Sequence, residues 1–158
     1  MAGTESPIVG IDLGTTYSLV AVAAWPREGG PSAKAPRIIP DEQGRALCPS
    51  VVRFEASGAP VVGYDARDRA VEFPQSTVAS VKRLMGRSLK DAVGDLPYLG
   101  YKVVEGPHNT VRVVLPDVGG GRMVSPQEVS ALVLARLKAQ AERALGVPIH
   151  KAVVTVPA

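Results

Sequence analysis

Ile8-Val9-Gly10-Ile11-Asp12-Leu13-Gly14-Thr15-Thr16-Tyr17-Ser18 is the stretch that decides the fold. Its apolar residues alternate well enough to predict a β-strand up to Asp12, and Gly14 predicts a tight turn. A second strand, rich in valine and alanine, is predicted over 17–25, close enough to pair with the first as a hairpin. The chain therefore opens with a hairpin whose turn carries a carboxylate, a glycine and two threonine hydroxyls.

This turn has the chemistry of a phosphate-binding loop. Glycine leaves space for a ligand, and successive backbone N–H groups can converge on an anion together with the hydroxyls of Thr15 and Thr16. Asp12 would repel a bare phosphate, but it suits a hydrated Mg²⁺ placed between carboxylate and phosphate. An ordinary hairpin with a polar turn is the alternative, since such turns are common. A Walker loop is excluded, because no Gly-Lys-Ser/Thr follows.

The middle of the chain predicts short strands and short helices. A loop over 26–36 precedes three short strands, and Asp65 is in position to cap the first helix. Gly119-Gly120-Gly121 reads as a structural turn between two strands. The predicted strands are 37–40, 50–54, 61–63, 102–104, 111–115 and 122–124, and the predicted helices are 65–72 and 77–85.

The clearest helix begins after Ser125. Ser125, Pro126 and Glu128 form a capping box with proline at the first helical position, and Gly146 stands where the C-cap belongs. One face repeats at three- and four-residue spacing. A near-continuous apolar strand over 151–156 follows, typical of strands buried on both faces. Together these elements indicate an α/β protein. The predicted buried face of the helix consists of Val129, Leu132, Val133, Leu137, Ala141 and Leu145.

Composition narrows the class of protein. The 158 residues, 46% hydrophobic and 21% charged, suit one globular domain or a piece of one. The net charge of +3 comes from scattered basic residues with few aromatics, so we expect no nucleic-acid partner. Cys48 is the single cysteine, which excludes an intramolecular disulfide. Apolar runs are short and no secretory signal is visible, so we expect a cytoplasmic protein without a membrane segment.

Four stretches, in this order, carry a family resemblance. The chain resembles the heat-shock-protein-70 family, the DnaK-type chaperones, from about Ile8 to Ala158. Gly63-Tyr64-Asp65-Ala66-Arg67 and the segment 80–89 are most similar to the branch specialised for iron–sulfur cluster assembly. The four stretches are Gly10–Ser18, Pro49–Val52, Val81–Arg87 and Ala152–Ala158.

The resemblance implies an actin-like ATPase (ribonuclease-H-like) fold, of which this α/β chain would supply an incomplete first lobe. Residues 8–52 and 125–158 would form the core subdomain, and 53–124 an inserted small α+β subdomain. Residues 1–7 would be a disordered tail. The chain would then be the N-terminal portion of a nucleotide-binding domain, a piece of a longer protein, and we expect this piece alone not to be catalytically competent.

The resemblance also implies roles for particular residues. Asp12 would hold magnesium through water, and Gly14, Thr15, Thr16 and Tyr17 would line the phosphates. Lys82 would place its ammonium near the γ-phosphate and stabilise developing charge; without the family it is an ordinary lysine on a short polar helix. Pro157 matches a proline implicated in relaying the nucleotide state, although ending a strand would also explain it.

The expected ligands and partners follow from the same resemblance. They are ATP or ADP, Mg²⁺, extended or unfolded client peptides bound by a further domain, a J-domain co-chaperone and a nucleotide exchange factor. Two alternatives are a fragment of a sugar kinase from the actin-like superfamily and a binding module without enzymatic activity. Sugar kinases share the aspartate–glycine–threonine hairpin but do not typically carry the motif around Lys82.

Overall fold

The structure is a computed structural model that describes residues 7–23 and 36–155. It is a mixed α/β structure with several sheets. The strands in the described ranges are β1 Ile8–Asp12, β2 Tyr17–Val22, β3 Arg37–Ile38, β4 Cys48–Pro49, β5 Val51–Phe54, β6 Pro60–Val62, β7 Thr77–Ala79, β8 Lys102–Glu105, β9 Val111–Leu115, β10 Arg122–Val124 and β11 Lys151–Thr155. The helices there are α1 Tyr64–Arg67, α2 Leu89–Ala92 and α3 Pro126–Leu145, with 3₁₀ turns at Pro74–Ser76, Val81–Leu84, Leu96–Tyr98 and Pro107–Asn109.

The predicted hairpin is confirmed and forms the centre of the first sheet. β1 and β2 are antiparallel, with Asp12 opposite Leu19, and β4 pairs with the start of β2. β11 lies on the other side of β1 and runs parallel to it, with Asp12 opposite Thr155. Because parallel strands end at the same edge, the end of β11 lies beside the turn that follows β1.

Helix α3 packs against this sheet, as its apolar periodicity predicts. The capping box is present, since Ser125 Oγ accepts from the Glu128 N–H and the Glu128 carboxylate accepts from the Ser125 N–H. Gly146 ends the helix with φ of 67°, in the left-handed region that favours glycine. Val129, Val133, Leu137, Ala141 and Leu145 on the predicted face are buried, and Leu132 packs against the core.

Two smaller three-stranded sheets lie between β4 and α3 in the chain. Their strand orders are β6-β5-β7 and β10-β9-β8, and all of their pairings are antiparallel. The predicted glycine turn before β10 is confirmed: Gly119, Gly120 and Gly121 all have positive φ. The division into a core subdomain and an inserted subdomain stays a prediction.

Two predicted helices are wrong in part. The helix over 65–72 shortens to α1, after which the N–H groups of Ala70 and Glu72 form i to i+3 turns. Gly63 rather than Asp65 occupies the N-cap position. In the helix predicted over 77–85, the first three residues instead form β7 against β5. Thr77 and Val78 are β-branched and buried, so strand pairing prevails over helical spacing.

The sequence of the last strand is typical of strands buried on both faces, but its apolar surface is open in the structure. Every residue of β11 is exposed, because in the described ranges the strand has a neighbour on one side only.

Three predictions concern residues outside the described ranges. They are the disordered tail over 1–7, of which only Pro7 is described, the loop over 26–36, of which only Pro36 is described, and the role of Pro157. Among the described helices, none combines the length and hydropathy that a membrane crossing requires.

Candidate phosphate-binding turn

A closed ring of hydrogen bonds fixes the turn between β1 and β2. The Gly14 N–H donates to Ser18 Oγ at 3.2 Å, and Ser50 Oγ donates to the Gly14 carbonyl at 2.9 Å. The two serine hydroxyls are 2.8 Å apart. Since the Ser50 proton is committed to Gly14, Ser18 must donate to Ser50. Both serines are buried, so this ring holds both backbone polar groups of Gly14.

Glycine is required at position 14 by close approach of the backbone. A Cβ atom there would overlap the backbone carbonyl oxygen of Tyr17. The Thr16 carbonyl accepts from the Ser50 N–H at 2.9 Å, which ties the far side of the turn to the segment joining β4 and β5. The turn is therefore held at both ends before any ligand arrives.

The ring also determines which amides are left to bind a ligand. Within 7–23 and 36–155, the amides and hydroxyls of Thr15 and Thr16 make no hydrogen bond, whereas the Gly14 amide is occupied by Ser18. The Tyr17 hydroxyl accepts from Arg67 Nη1 at 3.3 Å, and the Arg67 guanidinium stacks on the ring of Tyr64. Among the residues predicted to line the phosphates, Thr15 and Thr16 thus present unused donors and Gly14 shapes the turn.

Asp12 is the last residue of β1 and its side chain is exposed at the strand end. Its Oδ1 accepts a hydrogen bond of 2.8 Å from Thr155 Oγ1 on the neighbouring β11. The parallel register places the two residues directly opposite each other. One carboxylate oxygen is therefore held by the protein at the edge where the turn begins.

Lys82 reaches the same turn from far along the chain. Its ammonium donates to the Leu13 carbonyl, across 69 residues of sequence. Val81 and Leu84 in the same 3₁₀ turn are buried, which anchors the turn and directs Lys82 away from the core. The predicted α-helix around Lys82 is thus replaced by a four-residue 3₁₀ turn that begins after Ser80 in the left-handed conformation.

A cluster of charges fixes the segment that follows Lys82. Arg83 and Arg87 both bind the Asp95 carboxylate, at 3.3 and 2.7 Å. The hydrogen bond from Arg87 lowers the pKa of Asp95, with the Arg83 bond adding to the effect. The two arginines next in sequence to Lys82 are therefore both held by one carboxylate, while the Lys82 ammonium is directed to the turn.

The arrangement fits a metal-bound polyphosphate. Two adjacent amides and two hydroxyls suit phosphate oxygens, and an ammonium suits the charge of the phosphate group. An exposed carboxylate beside them suits a hydrated Mg²⁺, which prefers carboxylate, phosphate and water oxygens. The structure brings Asp12, the turn and Lys82 to one edge of the first sheet.

Three residues that hold the turn or the Asp12 carboxylate were not identified from the sequence. Ser18, Ser50 and Thr155 all lie within the stretches that carry the family resemblance, yet their type and position alone predict no role. Their signal is a small hydroxyl side chain beside a turn or strand end, which is common in any protein. Only the pairing of β2 with β4 and of β1 with β11 shows what these hydroxyls contact.

Sequence comparison with known proteins identifies the family of this chain. The family described as Hsp70 protein matches residues 8–158. The chain is 47% identical over 150 residues to a protein of Ralstonia nicotianae named chaperone protein HscA homolog. Proteins of the same name from Cupriavidus metallidurans and Ralstonia pickettii are 45% and 46% identical. Each alignment covers 95% of this chain and 22% of the relative, so the chain spans about a fifth of those proteins.

The match over 8–158 contains every residue of the turn, Lys82 and β11. The resemblance read from the four sequence stretches is confirmed by both comparisons. The chain belongs to the Hsp70 family.

Proposed function

We propose that the protein containing this chain is a DnaK-type chaperone that binds ATP or ADP with Mg²⁺ at the turn after β1 and hydrolyses ATP there. The chain is the N-terminal part of an actin-like nucleotide-binding domain, with 8–52 and 125–158 as the core subdomain and 53–124 as the inserted subdomain. Family membership and the donor set at the turn support this proposal.

One observation carries the assignment of the site. The Lys82 ammonium is directed to the Leu13 carbonyl, at the entrance of a turn whose next two amides after Gly14 have no partner in the described residues. A surface lysine gains most by remaining in water, so its contact with a distant turn favours a role at that turn. An ammonium there would neutralise charge on a bound phosphate.

Each residue of the site would have a separate role in binding the nucleotide or in hydrolysis. The amides of Thr15 and Thr16 bind phosphate oxygens, Gly14 shapes the backbone, and Tyr17 closes the turn. Asp12 orients the water molecules of Mg²⁺, whose charge supplies electrostatic stabilisation of the phosphates when bound. Lys82 stabilises the negative charge that develops during phosphoryl transfer, because a preorganised cation needs little rearrangement.

The chaperone cycle extends beyond this chain. ATP hydrolysis in the whole protein would drive binding and release of extended client peptides, accelerated by a J-domain co-chaperone, with a nucleotide exchange factor as a further partner. The relatives are named HscA homologs, which supports the branch resemblance and a role in iron–sulfur cluster assembly.

The direct test is ATP hydrolysis by the full-length protein with and without Lys82. Lys82→Ala should lower kcat by at least about tenfold and leave the fold intact, since stabilisation of developing charge typically amounts to several kcal/mol. Lys102→Ala, which removes an exposed lysine on β8, is the matched control and should retain normal kcat. Equal rates for all three proteins would reject the role of Lys82.

A second test uses the 158-residue chain alone. Isothermal titration with Mg-ATP should show weak binding or none. The donors of the turn and of Lys82 lie at one edge of the first sheet, so they would surround a bound phosphate on one side only. Submicromolar affinity would contradict this expectation and indicate that another chain completes the pocket.

A further inference from the structure

We infer that Thr155 is a positioning residue for Asp12: its hydroxyl fixes the carboxylate so that the free oxygen faces the water shell of a bound magnesium ion. This inference rests on the proposed function of the turn. It adds a residue on β11, far from the turn in sequence, to the machinery of the site.

The geometry of β1 and β11 carries the inference. Five consecutive residue pairs set the parallel register, and the last pair is Asp12 with Thr155. Thr155 Oγ1 donates to Asp12 Oδ1 at 2.8 Å. A hydroxyl has one proton, so Thr155 can hold one carboxylate oxygen and must leave Oδ2 for another partner.

The need for such a support follows from the exposure of Asp12. An exposed carboxylate at a strand end is free to rotate, and a magnesium ion held through water demands well-placed acceptors. Within the described ranges, Thr155 is the one side chain that hydrogen-bonds to this carboxylate. Threonine is stiff at χ1 because it is β-branched, so its hydroxyl is itself well oriented.

The same register explains why the hydroxyl must be on β11. The Asp12 side chain points across the strand pair at the edge where β1 gives way to the turn, and β2 pairs with β1 on the opposite side through Leu19. Leu19 offers no donor. Of the two residues paired with Asp12, only Thr155 on β11 can therefore donate a hydrogen bond to the carboxylate.

The test compares Thr155→Val with Thr155→Ser in the full-length protein. Valine keeps the shape and strand preference of threonine but lacks the hydroxyl, whereas serine keeps the hydroxyl. The measurement is calorimetric affinity for ATP at a series of Mg²⁺ concentrations and in EDTA, together with the thermal unfolding midpoint.

Thr155→Val should raise the Mg²⁺ concentration needed for half-maximal tightening of ATP binding by about tenfold, as expected for loss of a group that orients a metal ligand. Thr155→Ser should restore the wild-type value. ATP affinity in EDTA and the unfolding midpoint should stay unchanged in both variants, because the hydroxyl acts on the ion and not on the fold.

Asp12→Asn separates failure of this inference from failure of the proposed site. If Asp12→Asn loses the magnesium dependence while Thr155→Val behaves as wild type, Thr155 has no positioning role and the inference is overturned. If Asp12→Asn itself retains the full magnesium dependence, the proposed role of Asp12 is wrong, and the inference fails with it. A Thr155→Val defect that persists unchanged in EDTA would also overturn the inference, since it would be independent of the ion.

Discussion

Gly14 shows how one small residue determines the geometry of the turn. Its N–H and carbonyl are both held by buried serine hydroxyls, and the space where a side chain would begin lies against the Tyr17 carbonyl. Sequence reasoning could predict that glycine was needed to free the backbone. It could not predict that the Gly14 amide is already used by Ser18, because that depends on packing against Ser50.

Gly14→Ala should displace the turn and weaken nucleotide binding. The new methyl group must move the Tyr17 backbone, which changes the direction of the Thr15 and Thr16 amides. We expect ATP affinity of the full-length protein, measured by calorimetry, to fall by at least about tenfold, equivalent to about 1.4 kcal/mol.

Gly10→Ala is the matched control for this substitution. Gly10 lies on β1 in the same hairpin, and a Cβ there would meet no atom within 4 Å. Its ATP affinity should remain close to that of the wild type. Equal affinity for the wild type and Gly14→Ala would contradict the close approach at the turn.

The elements differ in how well sequence predicts them. Helix α3 could be predicted because its cap, its apolar face and its terminal glycine are all local signals. The 3₁₀ turn of Lys82 could not, because β7 forms only by pairing with β5, some 25 residues earlier in the chain. Local spacing cannot report a distant strand partner.

The capping box of α3 should stabilise its first turn in a pH-dependent way. The N–H of Ser125 binds the Glu128 carboxylate and, as the largest effect, lowers the pKa of Glu128. A lowered folded-state pKa means that the stabilisation is complete above the unfolded-state value of about 4.3 and is lost as pH falls through the lower folded-state pKa. Ser125→Ala should cost about 1 kcal/mol at neutral pH.

Amide hydrogen exchange in the first turn of α3 measures this effect. Relative to intrinsic rates, exchange should be several-fold faster in Ser125→Ala and in Glu128→Gln at neutral pH. The difference between Glu128→Gln and the wild type should shrink as pH falls below about 4. Gln127→Ala, adjacent but outside the box, should exchange as the wild type does; a pH-independent Glu128→Gln difference would contradict the account.

On the scale of the whole molecule, strand β11 lies at the edge of the first sheet in the described ranges. The apolar sequence of this strand is typical of burial on both faces, yet Val153 and Val154 are 64% and 41% exposed. Val154 also lines an apolar groove with Leu134 and Ile149. A sequence pattern reports that a strand is suited to burial, whereas burial itself depends on which elements surround it.

The isolated 158-residue chain should therefore self-associate through β11. Exposed strand edges and contiguous apolar surface favour association, and a lysine on the edge opposes it. Analytical ultracentrifugation should show concentration-dependent oligomers that Val154→Lys reduces. Val71→Lys makes the same change at an isolated, 95% exposed position and should leave the oligomers unchanged. A chain that stays monomeric throughout would show that this surface is not adhesive.

The central claim is that the turn after β1 and the Lys82 ammonium together bind the phosphates of a nucleotide. A crystal structure of the full-length protein with Mg²⁺ and a non-hydrolysable ATP analogue tests it most directly. The claim predicts phosphate oxygens within hydrogen-bond distance of the Thr15 and Thr16 amides and of Lys82 Nζ. A nucleotide bound elsewhere, with the turn empty and Lys82 directed into solvent, would contradict it.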